Sequence, residues 1–346
     1  MSMVSVHNEW DPLEEIIIGT ARGARVPRPD YGLHALEFPS LASQDDIPSG
    51  LFPDAVIEET EDELSLLCEE LTRLGVVVRR PEPRDQSAVI GTPDWQTDGF
   101  YDYCPRDCLL AVGHTIIESP MVLRSRFLES FAYRQILLDY FDSGAIWLSA
   151  PKPMLRDAMY RREMPEFARL GDLEPAFDAA NVLRLGTDIL YQVSDSGNER
   201  GLRWLQSVLG DKYRVHGCRN LYAGTHFDST IIPLRPGLVL LNPERVNEQN
   251  MPEPLRQWEH LWCPDLVDIG FTGGVHPASI WIGMNLLVIR PGLVVAEARQ
   301  TGLLRLLERH GIDVIPLSLT HARTLGGGFH CVSLDVRRTG ELAVYS

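Results

Sequence analysis

The sequence predicts an α/β fold: a propeller-like ring of five pseudo-symmetric ββαβ units around a central pocket. Three observations predict it. A unit of about 50 residues recurs along the chain, which is the spacing of propeller and solenoid arrays. One further unit is split between the two ends, and such a split closes a ring because the ends must meet to complete it. Each unit opens on a polar or reactive side chain at the same phase. A helix in every unit places sheets inside and helices outside.

The elements follow in order. Residues 15–18 form an apolar strand, 61–74 a helix and 76–78 a short strand; residues 329–336 and 341–345 supply the rest of this split unit. The next unit runs from strand 107–112 through a turn at Gly113 to strand 115–118, then helix 124–141 and strand 145–148. Strand 178–183, a turn near Gly186, strand 189–193, helix 198–208 and strand 213–215 repeat the order. Strand 229–234 turns at Pro236-Gly237 into 238–241, with 254–260 in the helix place and 266–269 as the last strand. Strand 280–288 turns at Pro291-Gly292 into 293–295, then helix 299–310 and strand 312–315. Residues 24–50 and 150–172, rich in Pro and charge, read as long surface loops of the kind that cover binding sites.

No low-complexity linker divides the 346 residues, so residues 1–346 are expected to form a single domain. The net charge of -16 argues against a nucleic-acid partner, which requires a basic face. No apolar run approaches a membrane span. The N-terminus lacks the layout of a signal peptide, so a cytoplasmic location and reduced thiols are expected for the six cysteines. Cys104, Cys108 and His114 lack the second matching pair of a zinc site, and no metal is expected. No G-x-G-x-x-G follows a strand, which disfavours a dinucleotide-binding dehydrogenase.

The heads of the units carry Asp107, Asp178, His226 with Asp228, Ser279 and Cys331. Rotation about one axis would bring them to one pocket. Cys331 ends the run Leu325-Gly326-Gly327-Gly328-Phe329-His330-Cys331, whose bare backbone allows close approach of a planar substrate. Two aspartates suit the planar fork of a guanidinium. A thiol can attack its central carbon, and His226 can serve as general acid and then base. Asp228, two residues on along an extended strand, shares the face of His226 and could orient its ring. Each residue taken singly has a plainer reading. The glycine-rich turn is equally compatible with a merely buried thiol. Asp107 could form a surface ion pair, Asp178 cap a turn, and His226 be a hydrogen-bonded core residue. Arg245 could be a solvated loop arginine. The shared phase of the heads favours the common pocket.

Taken together, Cys104-Pro105-Arg106-Asp107, Phe177-Asp178-Ala179-Ala180, Thr225-His226-Phe227-Asp228-Ser229, Asn242-Pro243-Glu244-Arg245, Trp281-Ile282-Gly283-Met284-Asn285 and residues 326–331 resemble the L-arginine-dependent amidinotransferases of the guanidine-modifying superfamily. The resemblance covers nearly the whole chain. It is nearest to the inosamine-phosphate amidinotransferases of streptomycin-type antibiotic pathways, and residues 219–225 depart from the glycine enzymes, which speaks against glycine as acceptor and for a roomier pocket. It implies a five-bladed α/β propeller (pentein) without cofactor or metal. It implies Cys331 as nucleophile of an amidino-enzyme, His226 as proton carrier paired with Asp228, and Asp107 and Asp178 as the guanidinium clamp. It places Arg245 and Ser279 near the α-carboxylate of the donor.

The expected partners are small molecules, L-arginine and an amine, with a homodimer allowed. The expected reaction moves an amidino group to a phosphorylated aminocyclitol of the scyllo-inosamine 4-phosphate type and releases L-ornithine. Alternatives are glycine, lysine or another secondary-metabolite amine as acceptor, an arginine deiminase-type hydrolysis, or a catalytically silent arginine-binding protein. Loop cations Arg22, Arg25, Arg28, Lys152, Arg156, Arg161 and Arg162 are candidates for contacting a phosphate, or are simply solvated.

Overall fold

Five three-stranded sheets dominate the computed structural model, which describes residues 3–224, 226–272 and 278–345. All five share one topology: an inner strand, an antiparallel middle strand, and an outer strand parallel to the middle one. Leu109–Val112, Thr115–Glu118 and Ile146–Ser149 form one sheet. Val182–Leu185, Asp188–Gln192 and Arg214–Cys218 form the next. Ile231–Arg235, Leu238–Leu241 and Glu259–Trp262 form the third. Leu287–Arg290, Leu293–Glu297 and Asp313–Leu317 form the fourth. In the split unit, Ser333–Arg338 pairs antiparallel with Leu13–Ile18, which runs parallel to Val77–Arg79. The architecture is mixed α/β.

Amphipathic helices cover the sheets. Asp54–Arg73 buries Val56, Thr60, Leu64, Leu67 and Leu71, one stripe at helical spacing. Glu199–Leu209 begins at Asn198, whose side chain accepts from the Gly201 amide, and buries Leu205. Inner and middle strands are buried on both faces, so they read as continuous apolar runs.

Four expected elements differ. The third unit has no α-helix: Pro252 and Pro254 limit 254–260 to the 3-10 turn Glu253–Leu255, and Glu259–Trp262 is the outer strand. Residues 266–269 stay outside any ladder because the Gln300 side chain takes both backbone groups of Val267, at 2.8 Å each. Residues 341–345 make only an isolated bridge, Gly186 to Val344. Helix 124–141 is α-helical only over Arg134–Asp142; its first part is two 3-10 turns that aim Arg126 inward.

A buried ion network ties the units together. Asp335 accepts from Arg184 at 2.7 Å, Arg106 at 2.7 Å and Arg338 at 2.6 Å, and Arg184 also holds both oxygens of Glu9. Arg106 is therefore not a surface partner of Asp107: its Nε donates to the carbonyls of His330 and Ser333. That contact fixes the strand head carrying Asp107 against the one carrying Cys331. Among the described residues, no helix is long and apolar enough to cross a membrane.

Candidate active site

Each predicted head residue sits at or just before a short helical turn that leads into an inner strand. Pro105 opens the turn Pro105–Cys108, which contains Asp107. Asp178, His226 and Ser279 occupy the N-cap positions of Ala179–Asn181, Phe227–Ser229 and Ile280–Met284. Cys331 stands two residues before Ser333–Arg338. Asp107, Asp178, His226 and Ser279 line one cavity of about 560 Å³, together with Arg126 and Glu37. Cys331 is off the lining and buried, 2% exposed, and bonds Asp228, two residues beyond His226. Thr225 of the histidine motif lies outside the described residues.

The pairing of the carboxylates departs from the sequence reading. His226 Nε2 lies 3.1 Å from Asp178 Oδ2, and its Nδ1 lies 3.5 Å from Asp107 Oδ1. Asp228 does not hold His226. It accepts from the Cys331 thiol at 3.0 Å and bonds Nδ1 of His330 at 3.0 Å. The physical reason is local. Residues i and i+2 share a face only in an extended chain, and Phe227–Ser229 is a helical turn.

Asn285, quoted in a motif but given no role, braces the nucleophile. Its Oδ1 accepts from the amides of His330 and Cys331, at 2.8 and 3.2 Å, and its Nδ2 points to the sulfur at 3.3 Å. Two of the glycines are needed for close approach. A Cβ on Gly328 would stand 2.7 Å from Asn285, and one on Gly327 2.7 Å from the Cys104 sulfur.

The electrostatics follow from burial and these contacts. Burial alone would lower the His226 pKa, but Asp107, Asp178 and Asp228 raise it to about 9. Burial pushes the Asp107 carboxyl up against the pull of His226 and Arg126. Asp228 is held well below the usual carboxylate range: burial opposes this, but the hydrogen bond and charge of His330 prevail. The Cys331 thiol is raised well above its ordinary value by its contact with the Cys104 thiol, then by burial and by Asp228. These contacts favour a protonated His226 and disfavour the Cys331 thiolate.

Arg245 is off the cavity lining. Its guanidinium bonds Ser229 and Thr230, at 2.9 to 3.0 Å, and stacks 3.5 Å over the Tyr222 ring, which does line the cavity. Ser279 lines the cavity while its Oγ caps the Trp281 amide at 3.3 Å. Sequence reasoning missed Glu37, brought in by the 24–50 loop, whose carboxyl burial pushes up beside Asp178. It also missed Arg126, which bonds Asp107 at 2.8 Å and grips Glu129 with two further bonds. Neither stands at the head of a unit. Of the seven loop cations only Arg162 reaches the cavity. Arg25 and Arg28 pair with Asp98, Arg22 with Glu61 and Arg156 with Asp94, while Lys152 donates to two carbonyls.

Comparison with known proteins defines the class first. Residues 265–338 match the family model described as arginine deiminase. Over its whole length the chain is 68% identical to inosamine-phosphate amidinotransferase 1 of Streptomyces glaucescens, 99% of which is covered. It is 40% identical to the L-arginine:L-lysine amidinotransferase of Pseudomonas savastanoi pv. phaseolicola, covering 99% of this chain and 97% of that one. The solved structure of the inosamine-phosphate amidinotransferase from Streptomyces griseus superposes with a TM-score of 0.98 at 66% identity, covering 100% of this chain and 99% of that one. The chain belongs to the amidinotransferase family, and it is an enzyme.

Proposed function

We propose that the enzyme transfers the amidino group of L-arginine to the amine of a phosphorylated aminocyclitol and releases L-ornithine, with Cys331 as nucleophile. The observation that carries this reading is the grouping of the site's side chains. Asp107, Asp178 and His226 line the cavity, and Cys331, buried behind that lining, bonds Asp228 and Asn285. The acceptor class rests on the two inosamine-phosphate relatives. The five sheets of identical topology are, in this reading, the blades of one closed ring and one domain. A reduced Cys331 suits the cytoplasm.

The guanidinium enters between the two carboxylates, and its charge favours the thiolate that the empty site disfavours. The thiol proton is released to solvent as the cation binds, and Asp228 stays a carboxylate, held by His330. Sulfur attacks the guanidinium carbon, the bond from that carbon to the ornithine nitrogen breaks, and the His226 imidazolium protonates the leaving amine. Neutral His226 then takes a proton from the acceptor amine as it attacks the amidino carbon. Carbon–sulfur cleavage expels the Cys331 thiolate, which regains its proton from solvent.

The match to the arginine deiminase family model favours one second reading, in which water takes the place of the amine. One experiment separates them. Enzyme given L-arginine alone should release one equivalent of ornithine and gain one amidino mass on the Cys331 peptide. Sustained release of citrulline and ammonia would establish the hydrolase instead. Label on another cysteine would refute the assignment of the nucleophile.

A further inference from the structure

We propose that Arg162 and Arg169, on the wall formed by the 150–172 loop, are the subsite that binds the phosphate of the acceptor. The inference rests on the reading of a phosphorylated acceptor and adds which residues recognise it.

The cavity lining carries four arginines, Arg126, Arg162, Arg169 and Arg323. Two of them are committed. Arg126 is taken up by Asp107 and Glu129. Arg323 gives Nε to the Ala278 carbonyl at 2.8 Å and Nη1 to Asp268 at 2.5 Å. The other two have donors to spare. Among the described residues, the Nε of Arg162 and the Nε of Arg169 are buried without a hydrogen-bond partner. The nearest carboxylate to the Arg169 guanidinium is Asp195 at 3.8 Å, and the nearest to Arg162 is Glu163 at 3.6 Å. Both exceed hydrogen-bonding distance. The remaining bonds of Arg162 go to the carbonyls of Pro39 and Leu41, at 3.3 and 2.6 Å, which pins it to the opposite loop.

A buried guanidinium N–H without an acceptor is costly and is expected to find one in the working state. Both arginines stand on one loop and line one cavity, and arginine binds phosphate oxygens through its planar fork. The cavity then has two poles. Asp107 and Asp178 receive the cationic end of the donor, and the two arginines receive the dianionic end of the acceptor. Glu166 and Asp195 also line this wall. Asp195 accepts from the Arg169 amide at 2.9 Å and stays 3.8 Å from its guanidinium, an ion pair without a hydrogen bond.

The test separates the two half-reactions in Arg169→Gln and Arg162→Gln. Ornithine formation on the enzyme is measured with arginine alone. Transfer from the preformed amidino-enzyme is measured with a phosphorylated aminocyclitol and with its dephosphorylated counterpart. Expected for Arg169→Gln is a rise of about 10- to 150-fold in KM for the phosphorylated acceptor. The dephosphorylated acceptor and the arginine half-reaction should change less than about twofold, a difference too small to signal one lost hydrogen bond. An intact arginine half-reaction also shows that the variant is folded. Inorganic phosphate should compete with the acceptor in the wild type and lose that effect in the variant. Equal loss for both acceptors, or a loss confined to the arginine half-reaction, would overturn the subsite and assign these residues to the donor carboxylate or to the loop. A wild type that prefers the dephosphorylated amine would overturn the acceptor reading, and the subsite with it.

Discussion

Replacing Asp178 by Asn tests whether the carboxylates around His226 set its charge. Burial lowers the His226 pKa and three carboxylates more than offset it, so the net rise from 6.5 to about 9, roughly 3 kcal/mol at about 1.4 kcal/mol per unit, is a lower bound on their joint effect. Asp178 contributes both charge and the 3.1 Å hydrogen bond, so its share is on the order of 1–2 kcal/mol, a factor of about 5–30. Asparagine keeps the shape and can still accept from the Val122 amide, which bonds Asp178 at 3.2 Å. The sign follows from linkage. A folded-state pKa above the unfolded one adds stability that is complete below pH about 6.5 and is lost as pH rises through about 9. Asp178→Asn should therefore melt earlier than wild type at pH 6, with the gap closing above pH 9. The rate of amidino-enzyme formation, followed by quenched mass spectrometry across pH, should lose its alkaline limb about one unit earlier. A limb that stays at about 9, with an equal stability deficit at pH 6 and pH 10, would refute the argument that Asp178 holds the proton on His226.

Other outcomes follow from the same geometry. Cys331→Ser should keep the wild-type melting curve and lose all turnover, because a hydroxyl is far less readily ionised than a thiol; residual ornithine release would place the nucleophile elsewhere. Cys104→Ala removes the contact that most raises the Cys331 thiol, so iodoacetamide should label Cys331 faster at fixed pH. An unchanged labelling rate would mean that burial alone governs the thiol. Gly328→Ala sets a Cβ 2.7 Å from Asn285 and should cost about 1–3 kcal/mol in stability, with a larger loss in amidino-enzyme formation because Asn285 braces Cys331. A fully active and equally stable variant would show that this brace is dispensable.

The sequence by itself determined the repeat and its phase. Apolar runs such as Leu238–Leu241 and the glycine turns between paired strands are local signals that recur from unit to unit. Asp107, Asp178, His226 and Ser279 therefore reach one cavity as the shared phase requires. Who pairs with whom inside that cavity was decided by tertiary structure. Asp228 turned from His226 to Cys331 because its backbone is helical where a strand was expected, and one turn of a dihedral redirects a side chain. Arg106 went into the central ion network and not to Asp107, because Asp335, Glu9 and Arg184 come from segments far apart in the chain. Glu37, Arg162 and Arg169 belong to loops, whose paths are set by what they pack against and leave no periodic trace in the residues. Charge and hydrogen bonding act over a few ångströms in space, so distance in sequence carries almost no information about which buried partners meet.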